Sequence, residues 1–258
     1  MRAPLAGVRA LLIDLEGTVI QGGRLLPGAA AAVDAARSSG VVHAFVTNTT
    51  SRPRSALVRE LSDGGLPVEP ERIFSAPRAA LAYLRRRGMT RCRLLLRPAL
   101  REEFPGIACD ADPVEAVVLG DLGSETTYDR LNDAFRRVLA GAELIALARN
   151  RYWRGEDGLM LDVGAFAAAL EYGSGRPATL VGKPAREFFD AALSWLDVPA
   201  SEAAVIGDDI DSDVRGGQAA GLRGVLVRTG KYREGDLEAS AVRPDAVLDS
   251  LAELARLL

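Results

Sequence analysis

Several uninterrupted apolar runs in this chain stop abruptly at polar residues. "VRALLID" closes on Asp14, "VVHAFVTN" on Thr47 and Asn48, "ATLVG" is followed by Lys183, and "AAVIGDD" closes on Asp208 and Asp209. Runs without in–out alternation suit strands buried on both faces, as in parallel sheets. Helical patterns separate them. "LPGAAAAVDAARSSG" has Pro27 near its start and Gly40 past its end, and "SRPRSALVRELSDGG" has Ser51 as a cap and Gly64-Gly65 as a stop. "AREFFDAALSWLDV" reads as a helix, "DVRGGQAAG" as a helix start, and "DSLAELARLL" as a closing amphipathic helix. Alternation of this kind predicts an α/β fold with a doubly wound parallel sheet.

The middle of the chain has its own rhythm. "CRLLLR", "EAVVLG" and "AELIALA" read as strands, and "YDRLNDAFRRVLAGA" and "GAFAAALEYGSG" as helices. We expect a core domain of residues 1–87 and 179–258 with a smaller α/β domain, residues 88–178, inserted into it.

Composition narrows the function. A net charge of −3 gives no basic excess for nucleic acid. No apolar run approaches the ~20 residues that span a bilayer. The first apolar run contains Asp14 and Glu16 and reads as a strand rather than a signal peptide. Cys92 and Cys109 form no CxxC motif, which suits a reduced, cytoplasmic chain. The single histidine, His43, lies inside an apolar strand, so catalysis must rest on carboxylates, Lys, Arg and hydroxyls. Of 32 basic residues only Lys183 and Lys231 are lysine, which hints that a compact point charge is needed there.

Ligands in open α/β sheets bind beyond the carboxyl ends of the strands. Asp14, Thr47, Asn48, Lys183, Asp208 and Asp209 should therefore converge on one crevice. Carboxylates with a lysine and a hydroxyl suit a divalent cation and a phosphate. A calcium-loop reading of "DDIDSDVRGG" fails, because its glycine would fall on Val214 and its closing glutamate on Ala220.

"DLEGT", "FVTNTT", "GKP" and "GDDIDSD" resemble the four motifs of the haloacid dehalogenase (HAD) superfamily. The position of the insert resembles the NagD-like type, a Rossmann-like core with an inserted α/β C2 cap. The resemblance implies a Mg²⁺-dependent phosphatase acting on a small phosphorylated metabolite, with phosphoamide or pyrophosphate hydrolysis also open. Asp14 would be the nucleophile that forms an aspartyl-phosphate. Asp14, the backbone carbonyl of Glu16 and Asp208 would hold Mg²⁺. Thr47, Asn48, Lys183 and Gly17 would bind the phosphoryl group. Asp213 would support metal-bound waters or orient Lys183, while Asp209 and Asp211 look solvated.

The family's usual residue two positions after the nucleophile is Asp, serving as general acid and base. Glu16 stands there in this chain. It does the same work with one more methylene, or slows the enzyme, or leaves a protein that binds phosphorylated ligands without turnover. In the loop "LARNRYWRGEDGL", Arg149, Asn150, Arg151, Tyr152 and Trp153 would read the substrate, unless Tyr152 and Trp153 pack the cap sheet and the arginines are solvated. The resemblance also implies a homodimer through the cap. No nucleic-acid or membrane partner is expected.

Overall fold

The structure, a computed structural model, describes residues 4–109, 111–155 and 158–258. It forms two compact units. One comprises the described residues of Met1–Thr47, Arg54–Phe74 and Lys183–Leu258, and the other those of Asn48–Pro53 and Ser75–Gly182.

The first unit carries a six-stranded sheet. Its order is Ala246–Leu248, Arg223–Val227, Ala203–Gly207, Ala10–Asp14, Val42–Thr47 and Ile73–Ser75. The Asp14 strand is parallel to both neighbours. The chain winds outward from it in one direction through the Thr47 strand, and in the other through the strand before Asp208. Asp14 therefore ends a strand at the topological switch point, where open α/β sheets bind ligands. Register fixes the levels. Asp14 pairs with Val46 and Ile13 with Ile206, so Thr47 and Asp208 each stand one residue beyond Asp14.

Alternation along the Asp14 strand sends Leu11 and Ile13 to one face, where they bury with Phe45, Ile206, Val225 and helix Ala29–Ser38. Phe74, Phe188 and Trp195 form an aromatic cluster, with Phe74 edge-on to Phe188 at 5.3 Å and stacked on Trp195 at 5.6 Å. Phe188 and Trp195 come from helix Arg186–Leu196. Each buried aromatic ring contributes roughly 2–3 kcal/mol of burial.

Two local elements differ from expectation. The end of the chain forms a short 3₁₀ helix, Leu251–Arg256, rather than an amphipathic α-helix; Leu251 and Leu254, three residues apart, are its buried residues. The segment after Asp209 is a wide π-helical turn, Ile210–Arg215, before the short helix Gly216–Ala219.

The second unit has a four-stranded parallel sheet in the order Thr179–Leu180, Glu143–Ala146, Ala116–Leu119, Cys92–Leu95. Helices Tyr128–Leu139 and Val163–Ser174 cover one face. Helix Ala76–Arg86, placed in the core domain by a boundary at residue 87, instead buries Ala80 and Leu84 with Cys92, Leu94 and Val118 of this second unit. Strands Tyr152–Gly155 and Gly158–Leu161 pair as an antiparallel hairpin.

Candidate active site

Lys183 follows the two residues after strand Thr179–Leu180 and is almost wholly buried. Its Nζ donates to Asp14 Oδ1 at 2.5 Å and to Asp213 Oδ1 at 2.6 Å. Asp213 Oδ2 accepts the Asp209 N–H at 3.3 Å, so both its oxygens are engaged. Its carboxyl carbon lies so close to Gly207 that a Cβ there would meet it at 2.2 Å. Asp213 thus contacts Lys183 through one oxygen and the Asp209 backbone through the other.

Asp14, Asp208 and Asp213 each place an oxygen within 4.8 Å of the others. Burial pushes Asp14 up to about 6, against the pull of Lys183 and with the push of Asp208. Burial and the charge of Asp213 push Asp208 up to about 6. Burial, opposed by Lys183 and reinforced by Asp14, takes Asp213 to about 7. Burial would lower Lys183, but Asp14 and Asp213 outweigh it and hold the ammonium charged. Three buried carboxylates around one ammonium form an electron-rich set of hard oxygens, which fits a divalent cation such as Mg²⁺.

The residues around this centre are more varied than their motif suggests. Thr47 is buried at the end of its strand. Glu16 is exposed, and its Oε1 accepts the Gly22 N–H at 3.3 Å. Gly17, expected at the phosphate, donates its N–H to the Ile20 carbonyl at 2.7 Å to close the turn after Asp14. Asp209 is half-buried rather than freely solvated. Its Oδ1 accepts the N–H groups of Asp211 and Ser212 at 3.1 and 2.9 Å, capping the wide turn, and its Oδ2 accepts Lys231 Nζ at 3.2 Å. Burial acts to raise Asp209, but Lys231 and these amides hold it below the usual carboxylate range. Asp211 is exposed and pairs with Arg215 at 3.1 Å.

Residues 11–108 match the family of haloacid dehalogenase-like hydrolases, and residues 180–254 match the related HAD-hydrolase-like family. The chain is 39% identical to phospholysine phosphohistidine inorganic pyrophosphate phosphatase of Homo sapiens, over 98% of this chain and 95% of that protein. It is 40% identical to haloacid dehalogenase-like hydrolase domain-containing protein 2 of Homo sapiens, over 92% of this chain and 90% of that protein. The chain belongs to the haloacid dehalogenase-like hydrolases. Among solved structures of this HAD type, 4-nitrophenylphosphatase of Thermotoga maritima superposes with a TM-score of 0.91 at 30% identity, covering 98% of each chain. NagD of E. coli K-12 superposes with a TM-score of 0.89 at 25% identity, covering 95% of this chain and 98% of that one.

Other expected HAD site residues lie in the second unit. Asn48 opens its first segment, with Oδ1 so near Gly182 that a Cβ there would lie 2.8 Å from it. Arg149 and Asn150 follow the Glu143–Ala146 strand, and Arg149 forms an ion pair with Glu171. Arg151, Tyr152 and Trp153 are exposed, the last two on the hairpin rather than packed in the parallel sheet. Glu156 and Asp157 of the same loop lie outside the described residues. The sequence reading missed Thr229, Gly230 and Arg233 of the loop after strand Arg223–Val227, whose Lys231 N–H donates to Asp208 Oδ2 at 2.6 Å; there only Lys231 carried a signal, as one of two lysines.

Proposed function

We propose that this hydrolase is a Mg²⁺-dependent phosphatase that hydrolyses a small phosphorylated metabolite through an aspartyl-phosphate on Asp14. The observation that carries the reading is the Lys183 ammonium held between Asp14 and Asp213 beside Asp208. Asp14, Asp208 and the Glu16 carbonyl would hold Mg²⁺, which screens the approach of a carboxylate to an anionic phosphoryl group.

The chain's own groups then divide the work. Asp14 attacks phosphorus, and the bond to the leaving oxygen breaks. Lys183 and Thr47 bind the phosphoryl oxygens and stabilise charge as it develops. Glu16 gives a proton to the leaving oxygen, then takes one from the water that frees Asp14. Asp213 keeps Lys183 in place throughout. Exposed Tyr152, Trp153, Leu159, Met160 and Leu161 on the hairpin support a homodimer through the second unit. Cys92 and Cys109 form no disulfide, which suits a cytoplasmic setting.

Hydrolysis of an aryl phosphate with Mg²⁺ and with EDTA tests the reading, with phosphoamides and pyrophosphate assayed beside it. Turnover that EDTA abolishes is expected. Mg²⁺ binding without turnover of any of these, restored by Glu16→Asp, would instead favour a protein that binds phosphorylated ligands.

A further inference from the structure

We propose that the loop Thr229–Gly230–Lys231, braced by Arg233, is a positioning clamp that leaves Asp208 one oxygen for the cation. It rests on the Mg²⁺ reading above. The loop follows strand Arg223–Val227, the neighbour of the strand that ends before Asp208.

A single peptide group is held at both ends. The Lys231 N–H donates to Asp208 Oδ2 at 2.6 Å, while the Gly230 carbonyl, across the same peptide bond, accepts Arg233 Nη1 at 3.1 Å. A trans peptide directs its N–H and C=O in opposite directions, so fixing one end aims the other. Arg233 Nη1 also reaches the carbonyls of Lys231 at 3.0 Å and Tyr232 at 2.8 Å. Thr229 Oγ1 donates to the Gly17 carbonyl at 2.5 Å, tying the loop to the turn after Asp14. The Lys231 ammonium reaches Asp209, which caps the turn leading to Asp213.

Two glycines complete the clamp. Gly17 and Gly230 have φ of +89° and +57°, and a Cβ on either would lie 2.0 Å from Asp208 Oδ2. Asp208 Oδ2 is thus hydrogen-bonded and walled in, and Oδ1 is the oxygen left to offer. A one-oxygen carboxylate suits the tight octahedral shell of Mg²⁺. Ca²⁺ accepts one or two oxygens from a carboxylate in a more flexible geometry. The clamp therefore sets both the affinity for Mg²⁺ and its margin over Ca²⁺.

The test is titration calorimetry of Mg²⁺ and of Ca²⁺ into the full chain, for wild type, Arg233→Ala, Thr229→Val and Thr229→Ser, with melting in EDTA recorded for each. Arg233→Ala and Thr229→Val are expected to lose roughly 10–100-fold in Mg²⁺ affinity, with a smaller loss for Ca²⁺, and Thr229→Ser to stay near wild type. If Thr229→Val does not fold, Arg233→Ala decides. Unchanged Mg²⁺ affinity, or equal losses for both ions, overturns the clamp while leaving the metal site standing. A wild type that takes up no Mg²⁺ overturns the metal site itself, and the clamp with it.

Discussion

Removing the Lys183 ammonium would strip Asp14 and Asp213 of the cation that each contacts, at 2.5 and 2.6 Å, inside a buried site. Lys183→Met is therefore expected to destabilise the protein by about 3–5 kcal/mol, read from urea unfolding near pH 8. A loss below about 1 kcal/mol would mean that water reaches these carboxylates. Asp14, Asp208 and Asp213 sit at about 6, 6 and 7, above an unfolded value of 3.8. Groups raised in this way stabilise the fold most below pH 4, and that contribution is lost as pH rises to about 7. With EDTA present, Asp208→Asn should thus raise stability at pH 8 by on the order of 1–3 kcal/mol and change it little at pH 4. An equal effect at both pH values would contradict the assigned shifts.

In the proposed mechanism the strand-end loops carry the chemistry, and glycines there mark where backbones come closest. Gly230→Ala combines a left-handed φ with a Cβ 2.0 Å from Asp208, whereas Gly88, at φ +69°, has open space around it. Gly88→Ala should cost about 1 kcal/mol from backbone strain alone. Gly230→Ala should cost more and also weaken Mg²⁺ binding, measured by melting with and without Mg²⁺. The strands ending at Asp14, Thr47 and Gly207 were legible because continuous apolar runs mark buried parallel strands. The final 3₁₀ helix was not, since Leu251 and Leu254 fit a period of 3.0 or 3.6 equally well over one turn. The wide turn at Ile210–Arg215 was hidden because Asp209 caps it through its side chain. Lys231 stood out in composition, but its hydrogen bond to Asp208 comes from its backbone N–H, which residue type does not reveal.

At the scale of the whole molecule, helix Ala76–Arg86 falls in the second unit, whereas a boundary at residue 87 groups it with the core. That helix has the same strand–helix rhythm on either side, and the burial of Ala80 and Leu84 with Cys92, Leu94 and Val118 assigns it to the second unit. The exposed hairpin of that unit predicts self-association. Trp153→Arg with Leu161→Glu should convert a dimer to a monomer in sedimentation experiments, and a wild-type monomer at micromolar concentration would remove the dimer from the account. The central claim is that Asp14 becomes covalently phosphorylated. It is tested most directly by acid-quenching the enzyme during turnover of an aryl phosphate with Mg²⁺, reducing with borohydride, and sequencing the peptide around Asp14 by mass spectrometry. The account predicts homoserine at position 14, absent when EDTA is added before substrate. Rapid turnover with position 14 unmodified, or turnover that survives Asp14→Asn, would contradict it.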